Sequence, residues 1–267
     1  MVNRRIKILW HLIGLLMLQA VLSAQPVLGQ DNSKTNPGST ERFHLFPPPD
    51  EKEQKHSAAN QFLRDVWMDQ KAIWTSPFHL NRKKVWTIVL PLATATAGLI
   101  ATDSRTSKFL ANTPDQIEWS RRFSNYGAGI TLGLATGGAM VGGKVMNKPH
   151  FYRMGRIAGE ALVSSIITNY AIKGITQRER PDHGNGNGRF WAGGDSFPSG
   201  HTMDTWAVAF AVARSPQCPK WLAVTSYVMA TAVSASRWTA HEHFASDILV
   251  GGVMGGLIGN YVARRVR

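Results

Sequence analysis

Apolar positions along this chain recur at helical spacing, and no stretch alternates apolar and polar residues over the length of a strand. Six apolar runs stand out, at 85–102, 126–143, 156–172, 202–213, 221–235 and 247–263. The pattern predicts an all-α fold, a helical bundle of about six core helices. Ahead of the runs, Leu63, Val66, Trp67, Ile73 and Trp74 share one helical face, and Pro77 ends the pattern. That predicts a further helix packed on the bundle; a Trp-bearing helix resting on a membrane surface is the alternative.

The N-terminal stretch reads differently. Arg4, Arg5 and Lys7 precede a mostly apolar run at 8–22, and small residues follow at Ala24 and Gly29. Residues 1–29 are expected to be an export signal, or an uncleaved anchor. Residues 30–56 are polar and charged and include Pro47-Pro48-Pro49, the composition of a flexible tether. The helical domain is then 57–267.

Most of the runs are shorter than the roughly 20 residues a membrane span needs. Arg156, Glu160 and Asp204 interrupt two of them, and the mean hydropathy is only −0.16. A basic N-terminus held in the cytoplasm would also return Lys173 to that side if every run crossed the bilayer. The expectation is an exported chain, periplasmic or membrane-associated, with an integral membrane bundle as the alternative.

The formal charge of +13 favours anionic partners: phosphorylated substrates or an anionic membrane surface. No basic stripe interleaved with aromatics and no nucleic-acid motif occurs, so no nucleic-acid partner is expected. The single cysteine, Cys218, excludes an internal disulfide and a multi-cysteine metal site. No feature of the sequence sets an oligomeric state.

Three clusters between Lys173 and Asp247 carry the chemistry. Lys173 is followed, after six residues, by Arg180-Pro181; then come Pro198-Ser199-Gly200-His201; then Ser236-Arg237, five residues, His243, three residues and Asp247. Arg180 and Arg237 can each fork onto two oxygens of a tetrahedral oxyanion, and Lys173 adds a mobile point charge. Ser199 and Gly200 open a helix whose N-terminus seats an anion, although Ser199 placed there would equally serve as a plain N-cap. His201 then stands beside the anion, where it would protonate a departing alkoxide. His243 and Asp247, four apart, share a helical face, the arrangement of a nucleophile and the group that orients it. The first cluster closes the third core helix, the second opens the fourth, and the third bridges the fifth and sixth. In an up-and-down bundle those points meet at one end.

The order and spacing of these residues resemble the signature of the type 2 phosphatidic acid phosphatase and vanadium haloperoxidase superfamily, and all eleven of its fixed positions are present. The resemblance implies an α-helical bundle with the active site at one end. It implies His243 as nucleophile forming a phosphohistidine, Asp247 orienting it, and His201 as general acid that later helps activate water. Lys173, Arg180, Ser199, Gly200 and Arg237 would hold the phosphate. It implies no metal and no other cofactor. His241-Glu242-His243 does not argue otherwise, because a two-residue spacing on a helix aims the two histidines apart.

The function expected is hydrolysis of phosphate monoesters, with a lipid phosphate, an isoprenoid diphosphate or a small phosphomonoester as substrate. A vanadate-dependent haloperoxidase and a phosphotransferase would use the same clusters and stay open, the short chain favouring the phosphatase. Between the first two clusters, Gly184, Gly186 and Gly188 loosen a loop that ends in Phe190-Trp191, which would act as a substrate lip or as an anchor for the loop.

Overall fold

The computed structural model describes residues 58–266 apart from Phe109, Ala111, Asn112 and Gln217. The expected export segment and tether, 1–29 and 30–56, fall outside the described residues. The chain divides into two units, Met1–Leu63 and Arg64–Arg267, and everything below concerns the second. Among the described residues all regular structure is helical. In chain order the helices are α1 (Ala58–Thr75), α2 (Leu90–Lys108), α3 (Pro114–Ser124), α4 (Gly129–Val145), α5 (Pro149–Thr176), α6 (Gly200–Ala213), α7 (Lys220–Thr239) and α8 (Ala245–Arg265). A π-helical turn, Val85–Val89, leads into α2.

The six apolar runs are α2 and α4 to α8. The apolar pattern does not announce α3, because its sequence is mostly polar. Its start is nonetheless well marked: the Thr113 hydroxyl accepts the Gln116 N–H at 3.3 Å, and Pro114 occupies the first helical position.

The core lies among α5, α6 and α8, where Ile157, Ala158, Ala161, Met203, Ala207, Ala211, Ile258, Val262 and Ala263 bury one another. These are mostly small residues, so the helix backbones approach closely. Gly251, Gly255 and Gly259 repeat every fourth residue on α8 and lie against the backbone of α6 and the residue that caps it. A β-carbon there would stand 2.7 Å from the Ser199 carbonyl, 2.1 Å from that of Met203 and 2.1 Å from that of Ala207. No side chain fits at those distances. The glycine row therefore sets how α8 is placed against α6, and with it how the third signature cluster meets the second. Trp206 and Phe210 of α6 form an aromatic cluster with Tyr227 of α7, the Phe210 ring meeting Tyr227 edge-on.

Helix α1 does pack on the bundle, yet largely through polar groups. Val66 is buried and Ile73 touches the core, whereas Trp67 remains 73% exposed. Asp65 pairs with Arg156 at 2.5 Å and with Arg265 at 3.2 Å, and Asp69 pairs with Arg265 at 2.7 Å. Glu160, fully buried, takes Arg156 at 2.9 Å and Arg265 at 2.8 Å. Arg156 and Glu160 thus point into the protein, and Asp204 is buried with a 2.6 Å hydrogen bond from Ser165. Their presence in the apolar runs is no obstacle to lipid on the outside.

Among the described residues, two helical stretches are long and apolar enough to cross a membrane, Val85–Lys108 and Ala245–Arg265. The first is almost wholly exposed and the second mostly buried. Ile130, Leu134, Val141 and Val145 on α4 and Trp221, Val224 and Val228 on α7 likewise face outward.

Candidate active site

Four helix ends converge at the site: the C-termini of α5 and α7 and the N-termini of α6 and α8. The loop from α5 to α6 closes over them. Gln177 ends α5 in the left-handed region with φ of 43°, and Ala192 and Gly194 both donate their N–H groups to its carbonyl. The Ser196 N–H then reaches the Arg178 carbonyl at 2.8 Å. The loop folds back on the end of its own helix, which carries Asp195 and Ser196 to the signature cations.

His243 is buried, and its Nδ1 lies 2.8 Å from the Ser196 carbonyl. A carbonyl only accepts, so Nδ1 holds the proton and Nε2 keeps its lone pair. Asp247 stands one step back, 3.7 Å from Nδ1. Its oxygens accept the Ser196 hydroxyl at 2.5 Å, the Phe244 N–H at 2.9 Å and Arg178 Nη1 at 2.6 Å. Ser196 also links the two, its hydroxyl touching the carboxylate while its carbonyl touches the ring. Burial pushes the His243 pKa down to about 4 against the pull of Asp247, with Arg237 and Lys173 adding to the depression.

Ser199 precedes α6 with its side chain fully buried. Its hydroxyl makes no capping bond and has no hydrogen-bond partner among the described residues. Its N–H is spent on the Asp247 carbonyl at 3.1 Å, tying the start of α6 to the start of α8. The plain N-cap alternative for Ser199 does not hold: the hydroxyl is an unused donor at the mouth of a helix. Gly200 sits against Asn169 Oδ1, 3.2 Å from where a β-carbon would lie. His201, in the first turn of α6, is held near a pKa of about 3 by burial and then by the field of Arg237, His243, Lys173 and Arg180. An anion in the site would offset the part of that depression due to the neighbouring positive charges, and not the larger part due to burial.

The three signature cations share two carboxylates. Arg180 forks onto Asp195 at 2.7 and 2.8 Å, with Lys173 Nζ 3.8 Å from the same group. The remaining edge of Arg180 bonds Glu242 Oε2, which also takes Arg237 Nη2 at 3.2 Å, while Oε1 takes Arg121 Nε at 2.8 Å. Arg237 Nη1 donates to Ser124 at 3.0 Å, and its Nε is buried without a partner. Glu242 is thereby committed to three arginines, and not to any grouping with His241 and His243.

Residues 155–267 match the family model of the PAP2 superfamily, a segment that contains all three clusters. This segment belongs to the PAP2 superfamily. The chain is also similar to a lipid A 1-phosphatase of Porphyromonas gingivalis, 37% identical over 67 residues. The match spans 24% of this chain and 15% of that protein's length. A crystal structure of a transmembrane PAP2 type phosphatidylglycerolphosphate phosphatase from Bacillus subtilis aligns with a TM-score of 0.45 at 21% identity, covering 77% of this chain and 93% of that one.

The structure brings together all eight expected site residues and adds others. Arg178 is fully buried, sandwiched by the rings of Phe190 and Phe244 and bonded to Asp103 at 2.9 Å as well as to Asp247. Asp103, on α2, also receives the Ser246 N–H at 3.3 Å. The two loop aromatics differ in their surroundings. Phe190 anchors against Arg178 and Phe197, and Trp191 stays 78% exposed.

Proposed function

We propose that this protein is a metal-independent phosphatase that hydrolyses phosphate monoesters, a lipid phosphate or an isoprenoid diphosphate, through a phosphohistidine on His243. The observation that carries the reading is a locked, neutral His243 beside a cluster of cations in which the Ser199 hydroxyl and Arg237 Nε have no hydrogen-bond partner among the described residues. Nε2 of His243 attacks phosphorus while Arg180, Arg237, Lys173 and the Ser199 hydroxyl hold the other oxygens. His201, its proton affinity raised by the bound anion, protonates the leaving oxygen. It then takes a proton from water, which attacks the phosphohistidine to free phosphate and regenerate His243. The protein's own cations neutralise the developing charge, so no step requires a metal.

The outward apolar faces of α4 and α7 and the exposed stretch Val85–Lys108 support a setting in or on lipid, and hence a lipid substrate. In this reading 1–29 is an export signal or anchor, 30–56 is a tether, and the site works outside the cytoplasm.

The test is rapid quenching of the purified protein with a radiolabelled lipid phosphate in mixed micelles containing a chelator. Label bound to the protein, stable to alkali and labile to acid, is expected in the wild type and absent in His243→Ala, together with turnover. Phosphate release persisting in His243→Ala would overturn the mechanism. Halide oxidation with vanadate and peroxide, in the absence of any phosphate release, would replace the hydrolase with the haloperoxidase.

A further inference from the structure

The two carboxylates that share Arg180 are not equivalent. Glu242 is buried and tied to three arginines. Asp195 is 60% exposed, and among the described residues only Arg180 and Lys173 pair with it. It follows Gly193, which has a φ of +79°, and Gly194, and it precedes Ser196, whose N–H is fixed to Arg178. It is thus a carboxylate on a short strap, with its backbone anchored and its head at the mouth of the site.

Its geometry is that of a phosphate surrogate. Two oxygens meet Nε and Nη2 of Arg180 in parallel, the fork that a phosphoryl group would use, and a lysine ammonium completes the contact. The other edge of Arg180 is already committed to Glu242. A phosphoryl group can therefore engage the Arg180 fork only by displacing Asp195. Two site donors that Asp195 does not cover, the Ser199 hydroxyl and Arg237 Nε, have no hydrogen-bond partner among the described residues.

We propose that Asp195 is a tethered counter-anion of the phosphate seat, which substrate must displace to bind and which reclaims Arg180 and Lys173 as product phosphate leaves. This rests on the reading of these residues as a phosphate seat. An intramolecular competitor has an effective concentration on the order of millimolar or above, so it weakens every anion that needs the same fork by a common factor. Weakly held anions are kept out, and release of inorganic phosphate is hastened. The low pKa of Asp195, about 2, with Arg180 as its leading cause, agrees with a carboxylate that stays charged and bound in the resting site.

The opposite role, a carboxylate that positions Arg180 for phosphate, predicts the opposite sign, and calorimetric titration with inorganic phosphate separates the two without needing turnover. The full chain in detergent micelles is titrated as wild type, Asp195→Asn, Asp195→Ala, Arg180→Ala and the Arg180→Ala/Asp195→Asn double variant. Both Asp195 variants are expected to bind phosphate about three- to tenfold more tightly, a modest gain because the carboxylate is largely exposed to water. The gain should vanish in the Arg180→Ala background, and KM for the substrate should fall in step with the phosphate dissociation constant. Unchanged or weaker phosphate binding in Asp195→Asn, or a gain that persists without Arg180, would overturn the proposal. A wild type that binds phosphate yet releases none from any ester would defeat the hydrolase reading instead, and the Asp195 comparison would still be decided by the titrations.

Discussion

Replacing Arg178 with methionine tests whether the buried charge network supports the catalytic pair. Methionine keeps the apolar stem between Phe190 and Phe244 and removes only the guanidinium. Two fully buried carboxylates then lose their cation, Asp247 at 2.6 Å and Asp103 at 2.9 Å. Neither is compensated by other charge, although hydrogen bonds from Ser196, Phe244 and Ser246 remain. Breaking a buried pair by removing one partner costs about 3–5 kcal/mol. For a chain of this size that is a fall in unfolding midpoint of roughly 6–20 °C. Adding Asp103→Asn removes one stranded charge, keeps an acceptor for the Ser246 N–H and should recover about half of the loss. Thermal unfolding of the two single variants, the double variant and the wild type gives the coupling directly. A loss below about 1 kcal/mol in Arg178→Met, or an Asp103→Asn change that deepens the loss, would refute the reasoning.

Two further outcomes follow from the same contacts. Glu242→Gln strips charge from the group that aligns Arg180 and Arg237, so kcat/KM should fall roughly 10- to 100-fold, the range for losing a charged hydrogen bond. Phosphate affinity should fall with it, opposite in sign to the Asp195 variants, and the same titrations check it. The pH dependence of stability carries the mark of His243, which folding holds at about 4 against an ordinary 6.5. The unfolded chain takes up this proton first, so the contribution is whole above pH 6.5 and is lost as pH falls towards 4. Subtracting the unfolding midpoints of His243→Gln, measured over the same pH series, isolates that window; a difference independent of pH would refute it.

The helices were legible in the sequence because each core helix shows the bundle a continuous apolar face. That the eight expected residues meet at one end of the bundle was legible from the order of their clusters along successive helices, while their types and spacing left the chemistry open. What escaped were groups whose role is to face those residues. Arg178 lies two positions before Arg180 and has no periodicity to mark it as buried. Asp103 falls just past the end of an apolar run, where a charge reads as solvated. Glu242 looked like part of a histidine cluster, and only the fold shows three arginines around it. One signal was available and unused: the four-residue spacing of Gly251, Gly255 and Gly259 marks a face where another backbone must approach closely.

The charges that argued against a lipid setting have the same explanation. Arg156, Glu160 and Arg265 meet Asp65 and Asp69 inside the protein, about 20–25 Å along α5 from Lys173 if each residue adds 1.5 Å. Arg178, Asp103 and Asp247 form a second internal group at the catalytic end. A residue-by-residue hydropathy reading sees these charges as interruptions of apolar helices, because it records position along the chain and not which face turns inward. Turned inward and paired, they fix how the helices pack, while the outward positions 130–141 of α4 and 221–228 of α7 carry no charge of their own. The same inward polarity that builds the phosphate seat therefore allows the bundle to lie against lipid. Asp103 joins the two: it sits on the exposed apolar stretch Val85–Lys108 and reaches through Arg178 to the carboxylate behind His243.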